Sequence, residues 1–403
     1  MGRPDAIVVG AGPAGCAAAI TLARAGREVV MIDKATFPRD KCCGDGLTTA
    51  ALRWLEHLGL EPTAVASWHD VDAAWVRSPT GREVEFSLPR RQGTFAAVSA
   101  RVDLDAALVE RARAAGVIVR EGAAVTAVGE PAPDHVRVGV EHRDECLASY
   151  VIAADGMWSP VRRLIGLNPH AYLGEWHAGR AYVGGVTGDA ADRLWVWFEA
   201  DLLPGYAWSF PLGGGRVNLG FGVWRNHQRH GRELKRVWET LARRDHIARS
   251  LGVGAQPESA MKAWPIPTRV TTAPLGQGRT LLVGDAAGAA DPLTGEGIGQ
   301  ALLTGVLAAE AVIAHGPHRP DEVQRSYHRA VRAALAADHR MSIALARVLR
   351  TPSGARGAVR VAGHTPWTRE NFARWLFEDE PRAVVLTPRR WHRSLLARPG
   401  AYR

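Results

Sequence analysis

The sequence predicts an α/β chain in which a parallel-sheet domain is interleaved with an antiparallel-sheet substrate domain and followed by a helical C-terminal tail. Three observations predict it. Asp5 to Val9 is an apolar run followed by GAGPAG at Gly10 to Gly15, a helix-like stretch through Ala25, and a second apolar run from Glu28 to Ile32 that ends at Asp33, which is a βαβ beginning. Late in the chain, Thr280 to Gly284 reads as a last parallel strand, with a helix from Gly297 to Ala314. Between them, from about Tyr172 to Thr268, the Trp-rich segments RLWVWFEA, YAWSFPL and RVNLGFGVW alternate as half-buried antiparallel strands do. The first domain is therefore Rossmann-like.

The other elements follow in order. A helix from about Thr48 to Leu58 stops at Gly59. Val71 to Arg77 and Glu83 to Leu88 flank Ser78-Pro79-Thr80-Gly81 and read as a hairpin that interrupts the βα pattern. The pattern resumes at Ala100 to Ala115, where Leu104, Leu108 and Ala112 recur at helical spacing before Gly116 and the strand-like Val117 to Arg120. Short strands continue to Val151–Ala153, and one helix is expected near Arg232 to Leu251. From about Ser326 the chain reads as helical, divided by Pro352, Pro366, Pro381 and Pro388. These boundaries assign 1–70, 98–171 and 272–345 to the nucleotide-binding domain, 71–97 and 172–271 to the substrate domain, and 346–403 to a basic helical tail.

A length of 403 residues, with 46% hydrophobic and 23% charged, suits two to three globular domains and excludes disordered, collagenous and small disulfide-stapled chains. Cys16, Cys42, Cys43 and Cys146 have neither zinc-ribbon spacing nor a disulfide framework, which fits a reducing compartment. The start MGRPDAIVVG lacks the order of a secretory signal, and Ala6 breaks the myristoylation pattern. The uncharged stretch Ala6 to Ala23 carries Gly10, Gly12, Pro13 and Gly15, so strand, turn and helix are expected there rather than a membrane span. A cytoplasmic location is expected. The scattered histidines form no metal-binding set and no metal is expected; no G-x-S-x-G elbow supports hydrolysis.

A dinucleotide pyrophosphate needs a tight turn, close backbone approach and the positive end of a helix. Gly10, Gly12 and Gly15, with Pro13 and Ala14 between them, supply these directly after a strand. Asp33, 18 residues beyond Gly15 and followed by Lys34, stands where a carboxylate accepts hydrogen bonds from a ribose. This unit alone does not separate FAD from NAD.

Two later segments do. ADGMWSPVR at Ala154 to Arg162 and GDAAGAADPLTGEGIGQAL at Gly284 to Leu302 resemble the second and third signatures of flavoproteins of para-hydroxybenzoate-hydroxylase fold. The resemblance implies FAD, with Asp155 and Gly156 near the cofactor and Asp285, after Gly284, on a ribityl hydroxyl. Gly295, Gly297 and Ile298 would open a helix whose amides face the flavin pyrimidine and favour the charge of the reduced ring. Val125 is placed on the cofactor side. Three more segments resemble the geranylgeranyl-reductase-like branch of prenyl and menaquinone reductases: FPRDKCCGDGL at Phe37 to Leu47, SARVDLDAAL at Ser99 to Leu108, and LPGYAWSFP at Leu203 to Pro211. By that resemblance Cys43 is the family's cysteine, Gly44 and Asp45 accompany it near the flavin, Arg101 contacts the cofactor, and Tyr206, Trp208 and Phe210 line the pocket. The resemblance spans roughly residues 5 to 345.

The family implies an FAD-dependent oxidoreductase, reduced by NADPH or NADH, that passes hydride from the flavin to a carbon–carbon double bond of an apolar, isoprenoid-type substrate. Cys43, Tyr206 or water would supply the proton. The same fold also supports a monooxygenase that hydroxylates or epoxidises an aromatic substrate. A halogenase would want a pocket lysine, but Lys34 and Lys41 fall in the cofactor half, leaving Lys235 and Lys262. A binding protein without chemistry would not need the intact glycine motifs. Each residue also has a plainer reading. Cys43 fits a small buried residue in a tight loop. Tyr206 and Trp208 share one strand face, which a core requires as much as a pocket, and the same holds for Trp195 and Trp197 as an aromatic wall. Asp155 and Asp285 fit strand-end turns.

Net charge is +9, and between Thr351 and Arg403 ten arginines stand against Glu370, Glu378, Asp379 and Glu380, so +6 of it lies in the tail. A solvated helical face, a cap on the substrate domain, self-association and peripheral contact with the inner membrane surface are the readings open to it. No nucleic-acid motif accompanies it.

Overall fold

Runs that are buried at every position make the central parallel sheet, because helices cover both of its faces. Ala6–Val9, Val29–Ile32 and Tyr150–Ala153 are such runs. The computed structural model describes residues 3–403 apart from 90, 130–131, 143, 168–171, 226–230, 385–386 and 392–396. Its first sheet runs Gly276–Gln277, Thr280–Leu282, Tyr150–Ala153, Ala6–Val9, Val29–Ile32, Ile118–Arg120, and only the first of these is antiparallel to its neighbour. Helix Pro13–Arg24 and helix Ile298–His315 pack against each other, and helix Arg101–Ala114 packs on the former. Ile298–His315 is the one described helix long and apolar enough to cross a membrane, and most of it is buried in this core.

The substrate-side sheet is built on Trp176–Gly184, which pairs antiparallel with Val217–Trp224, itself paired with Tyr206–Pro211 and then Leu194–Trp197. Leu194–Trp197 runs parallel to Ala73–Arg77, and so adds the early hairpin, Ala73–Arg77 with Glu83–Ser87, to the later strands. The single helix expected near Arg232 to Leu251 is two, Gly231–Leu241 and Asp245–Leu251. Between them the chain extends at Arg244, which caps the second helix and places its guanidinium against Glu199 and Asp201.

The helical stretch expected from about Ser326 begins at Pro320, as helix Pro320–Val348 packed on the first domain, and the tail continues as Pro352–Ala362 and Pro366–Leu376. Each helix opens on its proline, whose missing N–H costs nothing at a helix start; Thr351 and Thr365 cap the last two. The final two helices lie on the hairpin, with Phe372 4.7 Å from Phe86. Beyond them Ala401 bridges to Thr94 and the Tyr402 hydroxyl donates to Leu60 O at 2.8 Å. The tail therefore caps the substrate side. Its charge is not all solvated: Arg374 and Arg382 are buried and paired with Asp379 and Asp291.

Candidate active site

A cleft of about 530 Å³ runs between the carboxyl ends of the parallel strands and the face of the second sheet. Its far end is the glycine turn. Helix Pro13–Arg24 starts at Gly12 with no side-chain cap and no acid in its first turn, so its free amides open onto the cleft. A Cβ on Gly12 would meet nothing closer than Arg39 Nη2 and Arg101 Nη2, both at 3.8 Å. Open space above uncapped amides, flanked by two guanidiniums, fits a pyrophosphate. Pro13 and Ala14 line the same wall, as do Lys34 and Val125. Gly15 does not line it: its Cβ would lie 1.8 Å from Gly10 O, so this glycine lets the helix sit on the turn rather than touching a ligand. Gly10 does line it, at φ +102°.

Asp105 fixes both guanidiniums. Arg101 grips it through Nε and Nη2 at 2.7 and 2.8 Å, and Arg39 Nη1 reaches it at 2.8 Å. One buried acid between two cations leaves net positive charge beside Gly12. Asp33, expected to hold a ribose, already accepts from Ala11 N at 2.7 Å and Ala35 N at 2.8 Å. Its carboxylate stiffens the glycine turn, and only its remaining lone pairs face the cleft.

The cysteine loop closes the middle of the cleft. Asp45 lines the cleft, takes a left-handed φ of +66° and reaches its carboxylate to the second sheet. There Oδ2 accepts from the Tyr182 hydroxyl at 2.8 Å and Asn218 Nδ2 at 2.7 Å. Burial pushes this carboxyl up to about 6 against those two hydrogen bonds. Asn218 also donates to Cys43 O at 2.8 Å and accepts from Trp208 Nε1 at 3.1 Å. Asp45, which lines the cleft beside Gly44, is thus also the bolt that fastens the loop to the sheet. Cys43 lines the cleft with its Sγ 3.4 Å from Asp45 N, and burial pushes its thiol up to about 12.

Tyr206, Trp208 and Phe210 alternate along one strand and line the cleft together, with successive ring centroids 5.9 and 6.0 Å apart. A Cβ on Gly44 would touch both Trp208 and Phe210 at 3.6 Å, so the cysteine loop lies on this aromatic floor. The Tyr206 hydroxyl donates to Thr294 O, which commits the proton expected to serve the reaction. Trp195 and Trp197 are not part of the floor. They pair with Ser209 and Ala207 across the sheet, on its opposite face, and stack at 5.7 Å within a separate core.

Near the sheet's carboxyl edge, Asp155 accepts from Ser159 Oγ at 2.6 Å and Val161 N at 2.8 Å, holding the turn into helix Pro160–Leu164. Gly156 lines the cleft beside Lys41, whose ammonium stands 4.1 Å from the Trp264 ring centroid. Gly284 and Asp285 line the opposite wall, and among the described residues the Asp285 carboxylate takes no hydrogen bond that would compete with a ribityl hydroxyl. Gly295, Gly297 and Ile298 also line the cleft. The amides at this helix entrance are not open as expected: Glu296 Oε1 accepts from Ile298 N at 3.0 Å and Gly299 N at 3.2 Å. Burial and the neighbouring Glu378 push this carboxyl well above the usual range. Lys41 lies on the cofactor side as expected, whereas Arg39 and Glu296 are cleft residues to which the motif reading assigned no role, although both lie inside the quoted motif segments.

The model of the family described as "FAD binding domain" matches residues 3–339. Menaquinone reductase of Mycolicibacterium smegmatis is 35% identical over 332 residues, 78% of this chain and 77% of the relative. Digeranylgeranylglycerophospholipid reductase 2 of Methanopyrus kandleri is 32% identical over 315 residues, 76% of each chain. Among solved structures, a geranylgeranyl bacteriochlorophyll reductase-like protein from Thermoplasma acidophilum superposes with a TM-score of 0.80 at 23% identity, covering 96% of this chain and 99% of its own. A flavin-dependent halogenase shares the fold at a TM-score of 0.71 and 23% identity, covering 98% of this chain and 74% of its own. Uncapped amides and paired guanidiniums at one end of the cleft and an aromatic floor at the other agree with these relatives, and the chain belongs to the FAD binding domain family, as an FAD-dependent oxidoreductase with menaquinone and prenyl reductases among its relatives.

Proposed function

We propose that the protein reduces a carbon–carbon double bond in an isoprenoid-type chain, either a prenylated quinone or a prenyl lipid, with NADPH or NADH as the source of electrons. Bound FAD supplies the hydride chemistry. The observation that carries the reading is the floor of Tyr206, Trp208 and Phe210 beneath the Cys43–Gly44 loop, an apolar surface inside the cofactor cleft. Such a surface binds a hydrocarbon chain without asking it for hydrogen bonds. The chain's own residues orient the alkene on this floor and exclude water. Cys43, held as a thiol by burial, keeps a proton at Sγ facing the cleft, whereas Tyr206 aims its proton at a backbone carbonyl. The same named relatives support this substrate class.

We place the protein in the cytoplasm, meeting the inner membrane face where prenyl substrates partition. Trp367 and Trp391 of the tail are 67% and 57% exposed, and indole rings favour the membrane–water boundary. The test of function is anaerobic: FAD-loaded protein is reduced with NADPH or NADH, mixed with menaquinone or geranylgeranyl lipid, and the product is weighed. A gain of two hydrogens without oxygen is expected. Turnover that requires oxygen and adds an oxygen atom would replace this reading with the monooxygenase.

A further inference from the structure

The family match ends at residue 339, so nothing in it assigns the tail a part in the site. We propose that the tail segment Phe377–Arg382 is a component of the cofactor site, with Glu378 and Arg382 as positioning residues that hold the Asp291–Gln300 turn in the shape that receives the flavin.

The turn is organised by one buried carboxylate. Asp291 Oδ1 accepts from Leu293 N, Thr294 N and Thr294 Oγ1 at 2.9, 2.8 and 3.0 Å, and Oδ2 accepts from Ser342 Oγ at 2.7 Å. Arg382 supplies its cation: Nε donates to Asp291 Oδ2 and Nη2 to Thr294 Oγ1, each at 3.2 Å. From Thr294 the turn runs on through Gly295, Glu296 and Gly297 along the cleft wall, and Thr294 O receives Tyr206 from the aromatic floor. Arg382 is therefore one residue removed from both walls of the cleft.

Glu378 works on the other side of the same turn. Phe377 O accepts from Thr49 N at 2.8 Å, and the next residue takes a φ of +55°, a left-handed conformation that a glutamate adopts at some cost. That turn sends its carboxylate inward. It accepts from Thr48 Oγ1 at 3.2 Å, from Gln300 Nε2 at 3.1 Å and from Arg382 Nη2 at 3.2 Å. Gln300 stands in the first turn of the helix whose entrance Glu296 occupies. Asp291, Glu296 and Glu378 are three neighbouring carboxyls, and Arg382 is the guanidinium that bonds two of them and is 3% exposed. Loss of this buried cation leaves the Asp291 carboxylate without its guanidinium, and the turn it organises loosens in response.

The experiment compares Arg382→Gln, Arg382→Lys and Arg374→Gln in the full-length holoenzyme. Arg374 is an equally buried tail cation, but its carboxylate partner, Asp379, does not touch the turn. FAD dissociation constants are read by flavin fluorescence, with thermal unfolding followed in parallel. Arg382→Gln is expected to weaken FAD binding by tenfold or more, Arg382→Lys to recover most of it, and Arg374→Gln to stay within threefold of the parent. FAD affinity within threefold in Arg382→Gln, or an equal loss in Arg374→Gln, would overturn the proposal. Should Arg382→Gln not fold, the near-isosteric Glu378→Gln decides: an altered visible circular dichroism of bound flavin supports the positioning role, and an unchanged one refutes it.

Discussion

Replacing Asp45 with Asn should stabilise the protein much more at alkaline pH than at acid pH. The Asp45 carboxyl is fully buried, with two donors on Oδ2 and none on Oδ1. It sits at about 6 in the folded chain and near 3.9 when unfolded. Below about pH 3.9 both states are protonated and the group favours neither. Between there and pH 6 the unfolded chain gives up its proton while the folded chain keeps it, so stability falls as pH rises through this window. Above pH 6 the whole difference remains, roughly 3 kcal/mol at about 1.4 kcal/mol per tenfold. Asn at 45 keeps an acceptor for Tyr182 and Asn218, puts a neutral amide where Oδ1 stands, and tolerates the left-handed φ of +66°. Urea unfolding at fixed, saturating FAD is the assay, at pH 4.5 and pH 8. Asp45→Asn should exceed the parent by only about 1 kcal/mol at the lower pH and by roughly 3 kcal/mol at the higher. A variant less stable than the parent at pH 8, or a gap that does not widen with pH, would refute a strained, buried carboxylate at this position.

The glycine turn predicts two different failures. Gly12→Ala has no atom within 3.8 Å of its new methyl, so it should melt within a few degrees of the parent yet lose at least tenfold in FAD affinity, by titration; Gly15→Ala, 1.8 Å from Gly10 O, should lose the fold itself by circular dichroism. Tyr206→Phe should keep turnover within about tenfold of the parent, since the hydroxyl serves Thr294 O; a thousandfold drop would make it the proton donor after all. Cys43, pushed up to about 12, should be alkylated at pH 7.5 on the order of a thousandfold more slowly folded than unfolded, as read by peptide mass spectrometry; rates within tenfold would mean a thiolate.

What could be read along the chain is what neighbours in sequence decide. The strand, the turn at Gly10 to Gly15 and the helix after it depend on residues within reach of one another, and the antiparallel strands declare themselves by a period of two. That period gives two faces without saying which one meets a ligand. Tyr206 and Trp208 carry the same pattern as Trp195 and Trp197, yet the pairing of Trp208 with Val196 and of Trp195 with Ser209 puts the two sets on opposite sides of one sheet. Only the register, set by the loop between the strands, decides which set becomes the floor.

Charge is the harder case. Asp45 resembled a flavin-side residue because it follows the cysteine, but its second part, fastening the loop to the sheet, depends on donors 137 and 173 residues away. The tail arginines resembled a solvated basic face because nothing near Arg382 in sequence distinguishes it from Arg389, which is exposed. Its carboxylate lies 91 residues upstream. A buried charge is kept only where the fold brings its partner to it, so the residues hardest to foresee are those whose burial reports the assembled site. In this chain they gather behind the Asp291–Gln300 turn, where a tail outside the family match closes on the family's own motif.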